Sequence, residues 1–485
     1  MWYQDLLIAM YLVVLLSLAV YGFHRSTLIY LFYRYKKQRP QPQRVYSDEE
    51  LPRVTVQLPL FNEMYVIERL LDAVAKLDYP RAKLEIQVLD DSTDETQGIC
   101  RKKVLELQKR GHDVQYIHRD DRTGFKAGAL ENGLRHATGE FALVFDADFV
   151  PNPAMLREMI HYFSDEKVGM VQARWGHVNR DFSRLTEVEA IMLDGHFIIE
   201  HTARYRSGRF FNFNGTAGMW RIKAIQDAGG WQHDTLTEDM DLSYRAQLKG
   251  WEFIYLPDIV SPAELPVEMN SFKSQQFRWA KGSIQVAKKL LPTILRANIP
   301  WRVKFEAFFH LTNNFAYPLL LLLSILLLPN LLVRTHHGWR EVLILDLPLF
   351  FGTTLSVVSF YIVAAREVRP RGWGEVFRYL PLMLSVGIGL CINQTRAVFE
   401  ALAGKETEFV RTPKHGVETK TSLWAGKRYH AMKTLIPYFE LFMAAYFGAA
   451  MLVAYQGSHF LSMPFLLLFL VGFLYVGALS AFQRR

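Results

Sequence analysis

Cysteine is almost absent from this sequence. Cys100 and Cys391, two in 485 residues, exclude a disulfide framework. Neither stands at a metal-ligand spacing, so both read as buried reduced thiols. No Gly-x-Gly-x-x-Gly follows a strand, which excludes the glycine-rich phosphate cradle of a dinucleotide-binding domain. Internal repeats and low-complexity tracts are missing too, which excludes solenoids and disordered arrays. Charge is sparse: 21% of residues are charged, against 50% hydrophobic and 14% aromatic. A wholly soluble protein of two or three domains would be more polar, so long apolar segments are hidden in that average. The net charge of +8 does not point to nucleic acid, because the basic residues cluster beside those segments, as on the cytosolic face of a membrane.

Several apolar runs are long enough to span a bilayer. Leu6 to Phe23 is one. Asp5 precedes it, Arg25 and the run Arg34-Tyr-Lys-Lys-Gln-Arg39 follow, and neither a basic leader nor a small-residue cleavage site is evident. It reads as a signal anchor whose C-terminal side is cytosolic. Phe309 to Val333, Val342 to Ala365 (with Asp346 near its start), Leu435 to Tyr455 and Phe460 to Phe482 are four more expected spans. Tyr379 to Leu402 carries Asn393, Gln394, Arg396 and Glu400 in its second half, so only its first half is expected to be immersed. Phe272 to Leu291 is amphipathic, with Lys281, Lys288 and Lys289 near an apolar face, and is expected in the membrane interface. Arg366, Arg369, Arg371, Arg378, Arg484 and Arg485 place their loops and the tail on the cytosolic side. Three regions follow: an anchor and basic linker (1–45), an α/β domain closed by the amphipathic helix (46–291), and a membrane region of about four spans (292–485).

Within the middle region, strand-like runs at Val54–Leu58, Leu84–Leu89, Val114–Ile117, Phe141–Phe145 and Val168–Ala173 alternate with helical stretches. That alternation predicts a doubly wound parallel sheet. In such a sheet ligands bind at the carboxyl ends of the strands. The run from Phe141 ends in Asp146-Ala-Asp148, and an extended backbone points both carboxylates the same way. Two convergent carboxylates suit a hard divalent cation that also holds diphosphate oxygens, although two solvated loop acids would share the spacing. Asp90-Asp91 ends the second strand, where an acid commonly bonds a ribose or base. Lys126, in Thr-Gly-Phe-Lys-Ala-Gly, offers charge to a diphosphate or caps a helix. Thr237-Glu-Asp239 opens a helix, where acids are favoured by the dipole. Asp239 also has the chemistry of a general base that takes the proton of an attacking sugar hydroxyl. Gln275-Gln-Phe-Arg278-Trp279 offers hydrogen-bond donors and an indole, either a platform for a sugar ring or an interfacial anchor.

Taken together and in this order, Asp90-Asp91, Asp146-x-Asp148, Thr237-Glu-Asp239 and Gln275-x-x-Arg278-Trp279 resemble family 2 glycosyltransferases of the cellulose synthase superfamily. The strings Gln57-Leu-Pro-Leu-Phe-Asn-Glu63, Gln87-Val-Leu-Asp-Asp-Ser-Thr-Asp94, Phe213-Asn-Gly-Thr-Ala-Gly218 and Thr237-Glu-Asp-Met-Asp-Leu242 are similar to the cellulose synthase-like A and C branches, the (gluco)mannan and glucan-backbone synthases. The resemblance implies a GT-A (Rossmann-like) α/β domain joined to a helical transmembrane bundle. It implies Glu63, Asp90 and Asp91 at the nucleoside, Lys126 at the diphosphate, and Asp146 and Asp148 at nucleotide and metal (Mg2+ or Mn2+). Asp239 becomes the base, and Gln275, Arg278 and Trp279 contact acceptor and diphosphate. Phe409-Val-Arg-Thr-Pro-Lys414 is similar to a gating loop (403–428), with Phe409, Thr412 and Lys414 at matching spacing and Arg411 where that family usually has valine.

The expectation is an inverting hexosyltransferase embedded in a bacterial inner, plasma or endomembrane, its catalytic domain cytosolic. Its donor is a nucleotide-diphosphate sugar, GDP-mannose by the nearest branch or UDP-glucose by the wider superfamily. Its acceptor is a growing β-linked polysaccharide; its other partners are membrane lipids, and no nucleic acid is involved. Asn313, Asn314, Tyr317 and Trp301 are candidate channel-mouth residues. A synthase that glycosylates a membrane lipid would share these motifs, and so would a transporter or scaffold with a sugar-binding domain that has lost catalysis.

Overall fold

The computed structural model describes residues 2–337, 340–407, 409–422, 424, 426–429 and 434–483; for residues 3, 334–337 and 340–351 it describes the backbone alone. Arg484, Arg485, the side chain of Asp346 and residues 408, 423 and 425 of the 403–428 loop therefore lie outside the described residues. Helix α1 (Trp2–Tyr35) precedes an α/β unit. That unit runs β1 (Val54–Leu60), α2 (Ile67–Val74), β2 (Leu84–Asp90), α3 (Thr96–Lys109), β3 (Asp113–His118), α4 (Phe125–Leu134), β4 (Phe141–Val144), α5 (Met155–Ile160) and β5 (Val168–His177). It continues through α6 (Arg184–Asp194), a π-helical stretch Gly195–His201, α7 (Thr202–Arg206), β6 (Gly218–Arg221), α8 (Ile222–Asp227), α9 (Glu238–Leu248) and β7 (Glu252–Ala263). The long α10 (Met269–Arg296) then leads to α11 (Trp301–Thr312), α12 (Ala316–His337), α13 (Arg340–Val368), α14 (Val376–Gly389), α15 (Cys391–Leu402), α16 (Ile436–Gln456) and α17 (Met463–Phe482).

The seven strands form one sheet in the order β3-β2-β1-β4-β6-β5-β7. It is mixed rather than wholly parallel, because β6 runs antiparallel between β4 and β5. The other pairs are parallel, as the βα alternation predicts. Strand β4 reads as a continuous apolar run because helices cover both faces of the sheet; in β1 and β2 buried polar side chains alternate with the apolar ones and pair across the two strands, Thr55 with Glu85 and Gln57 with Gln87, while Val54, Val56, Leu58, Val88, Leu143 and Val144 are fully buried. The register sets Leu60 opposite Asp90 and Gln57 opposite Val144, so β1, β2 and β4 end together along one edge.

Among the described residues four helical segments are long and apolar enough to cross a membrane: Gln4–Tyr35, Trp301–Val333, Ile436–Gln456 and Phe460–Phe482. The first continues past the expected Phe23 because its polar residues meet partners inside the bundle. Ser26 Oγ lies 2.8 Å from Ser356 Oγ, His24 Nε2 3.0 Å from Glu306 Oε2, and the Arg25 guanidinium 5.5 Å from the Phe360 ring. The second begins at Trp301, eight residues before the expected start. The expected interfacial helix is a pair, Trp373–Gly389 and Cys391–Leu402, bent by 41°. A Cβ on Gly389 would fall 2.4 Å from the carbonyl oxygen of Gly472, so α14 and α17 touch backbone to backbone there.

Helix α10 joins the two regions. Its lysines meet partners within the fold, and of Lys281, Lys288 and Lys289 only Lys288 is exposed. Lys281 is fully buried with Nζ 3.0 Å from Glu400 Oε2, Lys289 pairs with Asp234 and Asp241, and Lys288 donates to the carbonyls of Ala401 and Leu402. At its other end Lys273 Nζ lies 2.5 Å from Glu440 Oε1 of α16, both side chains buried. A buried ammonium is tolerated only with such a partner.

Candidate active site

Strand β4 delivers Asp146 to the sheet edge, where its backbone N–H donates to Thr216 Oγ1 at 2.9 Å. Lys126, in the first turn of α4, donates to Asp146 Oδ1 at 2.5 Å and to the Gly215 carbonyl at 2.8 Å. Gly215 has φ +78°, and a Cβ there would lie 3.0 Å from Asp239 Oδ2 and 3.3 Å from Lys126 Nζ. Only glycine fits that conformation at that approach. Lys126, Asp146 and Asp239, spread over more than a hundred residues of chain, thus share one cleft. Burial and the adjacent Glu238 push the Asp239 carboxyl up to about 7, against the pull of Lys126. Lys126 itself is held above its usual value: burial opposes its charge, and Asp146 and Glu238 outweigh it.

Asp148 is almost fully buried. Its Oδ2 accepts from Lys414 Nζ at 2.8 Å and from the Glu264 backbone N–H at 3.1 Å, and its carbonyl accepts from Arg69 at 3.2 Å. Lys414 also donates to the Glu264 carbonyl, and the His415 N–H donates to Glu264 Oε1 at 2.8 Å. Phe409, Arg411, Thr412 and Lys414 of the 403–428 loop therefore lie in the cleft. Arg411 NH1 lies 2.6 Å from Glu63 Oε2, with its guanidinium 4.5 Å from the Tyr429 ring. Burial raises Glu63 to about 7 in spite of Arg411. Thr412 is buried, and Phe409 stacks on Phe125 at 5.9 Å. The Arg278 guanidinium lies 4.6 Å from the Phe409 ring and donates to the Val410 carbonyl at 2.9 Å.

These groups surround a cavity of about 180 Å3. Glu63, Asp91, Lys126, Asp146, Asp148, Asp239, Gln275, Arg278, Trp279, Phe409, Thr412 and Lys414 all line it. Asp90 is not brought to it: that side chain is fully buried, accepting from Tyr116 Oη at 2.7 Å and from the Ser92 N–H at 2.9 Å. Asp91 is bound bidentately by Arg119, at 2.9 and 2.5 Å. Arg119 was missed in the sequence because nothing in its local pattern marks it. Glu264, which braces Asp148, was missed for the same reason. The Arg122 guanidinium, 3.3 Å from the Phe61 ring, and Phe125 complete the wall nearest Asp91.

A second cavity of about 520 Å3 shares Trp175, Leu193, Asn214, Thr237, Asp239, Gln275 and Trp279 with the first and continues between α1, α12, α13 and α14. Asn313, Asn314 and Tyr317 line it, but Trp301 does not and is 72% exposed. Its wall holds a polar chain that the sequence reading missed. Asn214 links His201 (2.6 Å) and His196 (3.0 Å), His196 meets Glu200 at 3.0 Å, and Arg204 bridges Glu200 (3.2 Å) and Glu306 (2.9 Å). The π-helical turn Gly195–His201 carries three of these residues, and such turns gather at functional sites.

Residues 52–282 match the family model described as Glycosyltransferase like family 2. The chain is similar to glucomannan 4-beta-mannosyltransferase 2 of Arabidopsis thaliana, 40% identical over 298 residues, which are 59% of this chain and 55% of the relative. The match therefore spans little more than half the length of that relative. Among solved structures, the mannosyltransferase PcManGT from Pyrobaculum calidifontis in complex with GDP-Man and Mn2+ aligns at 22% identity with a TM-score of 0.57, covering 82% of this chain and 100% of that one. That likeness is one of fold.

Proposed function

We propose, from the premise that residues 52–282 are a family 2 glycosyltransferase domain, that the chain is a membrane-embedded inverting hexosyltransferase. It takes a nucleotide-diphosphate sugar into the first cavity and extends a β-linked glycan whose end enters from the second. GDP-mannose is the donor we put first, because the plant relative is named for mannosyl transfer; UDP-glucose is second. The observation that carries this reading is the convergence of Asp239 with Asp146 and Lys126 where the two cavities meet.

In this reading Asp239 takes the proton of the acceptor hydroxyl as it attacks the anomeric carbon. The attacked carbon gathers positive charge and the leaving diphosphate negative charge. Lys126, Arg278 and Lys414 converge on the cavity and stabilise that negative charge. Attack from the face opposite the leaving group inverts the configuration. A divalent cation fits Asp146 and Asp148: both are hard oxygen donors, and each already holds a cationic ammonium. No cluster of three or more His, Cys, Asp or Glu among the described residues would close a protein-only cage. Two carboxylates leave the remaining positions to water and diphosphate, the habit of Mg2+ and Mn2+. When bound, the cation supplies Lewis-acid charge to the diphosphate.

We assign residues 1–45 to an anchor, 46–291 to the catalytic domain, on the cytosolic side, and 292–485 to the membrane region. The 403–428 loop covers the first cavity, and Glu63 and Asp91 lie at its nucleoside end. Asn313, Asn314 and Gln276 supply polar groups to a glycan in the second cavity. The test is a donor screen on purified full-length protein with Mg2+ or Mn2+, read as nucleotide release and product length. Insoluble chain cleaved by a β-mannanase is the expected result. A single organic-soluble product would move the acceptor to a lipid, nucleotide release that persists in Asp239→Asn would remove Asp239 as the base, and no nucleotide release from any donor would end the transferase reading.

A further inference from the structure

Two imidazoles hold the Asn214 side chain by its two ends. His201 Nε2 lies 2.6 Å from Asn214 Oδ1, and Asn214 Nδ2 lies 3.0 Å from His196 Nε2. Burial opposes the charge of Glu200, but Arg204 and the His196 hydrogen bond outweigh it and hold that carboxylate well below its usual range. Glu200 Oε2 accepts from His196 Nδ1 at 3.0 Å, so His196 carries its proton on Nδ1 and accepts from the amide at Nε2. Burial pushes the His201 imidazolium far below its usual value, so that ring is neutral. Its Nδ1 has no partner among the described residues; the proton therefore sits on Nε2 and is donated to Asn214 Oδ1. The two rings thus fix which way the amide faces. Behind them Arg204 ties Glu200 to Glu306, and Glu306 meets His24 of α1, so the clamp is anchored on the membrane helices.

The backbone is shaped for this clamp. At 3.6 residues per turn, residues five apart on an α-helix point roughly 140° away from each other. The stretch Gly195–His201 is π-helical instead, and its wider turn sets His196 and His201 on one side with ring centroids 4.4 Å apart. What they hold is the turn at 214–216, which touches all three groups of the cleft. The Gly215 carbonyl accepts from Lys126, Thr216 Oγ1 accepts from the Asp146 N–H, and the Gly215 backbone lies against Asp239. One residue earlier, the Phe213 N–H donates to Ser243 Oγ at 2.9 Å, and that hydroxyl donates to the Asp239 carbonyl. His201 is fully buried and lines neither cavity, so it reaches a substrate only through Asn214. We propose that His201 and His196, acting through Asn214, are positioning residues that hold the 214–216 turn and with it the spacing of Lys126, Asp146 and Asp239. That this spacing serves sugar transfer rests on the transferase reading above; the clamp itself does not.

The test uses full-length protein in detergent and two measurements: amide hydrogen exchange of the 213–217 segment, and nucleotide release from GDP-mannose with Mn2+. His201→Phe keeps a ring but no donor. It is expected to speed exchange of that segment about fivefold or more. It is also expected to lower kcat about tenfold or more with donor KM little changed, since a displacement of about 1 Å at reacting groups costs up to about a hundredfold. His201→Gln, which keeps an N–H donor at the reach of Nε2, is expected to restore both readings to near wild type. Unaltered exchange in His201→Phe overturns the clamp, and faster exchange with unaltered kcat overturns the positioning role. A merely structural histidine would lower the Tm and leave kcat per folded molecule intact, and that result overturns the inference as well. If His201→Phe does not fold, Asn214→Ala decides by the same two readings. Wild-type protein that releases no nucleotide from any donor would sink the transferase reading, and the exchange measurement would then decide the clamp by itself.

Discussion

Buried ion pairs serve two different ends in this molecule. Around the first cavity, Lys126–Asp146, Lys414–Asp148 and Arg411–Glu63 face open space. Along α10, Lys273–Glu440 and Lys281–Glu400 are closed in by packed helices and line neither cavity. A pair that borders a cavity can exchange its partner for a ligand's charge; a pair sealed in the bundle cannot. Under the proposed function the first set is machinery and the second is fastening, although both are contacts of a cationic side chain with a carboxylate at 2.5–3.0 Å.

The sharpest way to break that division is at Asp239. Asp239→Asn keeps size and packing but removes the carboxylate that the proposed function uses as its base, and should lower kcat by about a thousandfold with donor KM little changed. Stopped assays of nucleotide release with Mn2+ measure it. A loss of only a fewfold would mean that the cavity charges position substrate without proton transfer.

The fastening set should fail in the opposite currency. Glu440→Gln leaves Lys273 buried without a counter-charge and should cost about 3–5 kcal/mol of stability. It would appear as a lower thermal midpoint in detergent, with per-molecule nucleotide release intact. Replacing the pair together, Lys273→Met with Glu440→Leu, should restore the midpoint, because well-packed apolar groups replace a buried pair at little cost. If the double variant stays folded but loses catalysis, the pair belongs with the machinery after all.

A third expectation follows from the shifted acid. In the proposed function Asp239 acts in its ionised form, and burial beside Glu238 raises it to about 7. The rate should therefore rise about tenfold per pH unit below that value and level off above it. The Asp239→Asn variant should lack this limb. A flat wild-type profile between pH 5.5 and 8 would separate Asp239 from the rate-limiting proton transfer.

The cavity set was legible in the sequence because short motifs end strands or begin helices, and strand ends in an α/β sheet converge. Asp146, Asp148, Lys126 and Asp239 each sat in such a string, and Trp279 stood in a motif inside α10. The residues that hold them did not. Arg119 reaches Asp91, and Glu264 reaches Asp148, from segments with no motif of their own. The Lys273–Glu440 pair joins helices 167 residues apart, a distance no local pattern reports. In the fold, apolar runs located most strands, but β6 was hidden. It has four residues behind an Asn/Gly loop, and its antiparallel direction depends on the neighbours it inserts between. Strand β7 runs from Glu252 to Ala263 through Pro257 and Pro262, which break the apolar pattern without breaking the strand. Asp90 was read with Asp91 as one motif, yet the alternation of a strand sends neighbours to opposite faces, which is why only one reaches the cavity.

The smallest effect, and the one that tests whether a cavity pair is exchangeable, is at Arg411. Arg411→Val removes the ion pair to Glu63 but leaves Phe409, Thr412 and Lys414 in the loop. Glu63 is an acid with its value raised to about 7, so it is largely protonated below that pH and ionised above it. The pair therefore contributes fully only on the alkaline side. At pH 8 the variant should raise donor KM about fivefold, equivalent to about 1 kcal/mol, with kcat nearly constant. At pH 6 the ratio should shrink toward one, because wild-type Glu63 is then neutral as well. An effect equally large at both pH values would mean that Arg411 acts on the bound diphosphate rather than through Glu63. The pair would then be an occupant of the ligand's place, released when the donor enters.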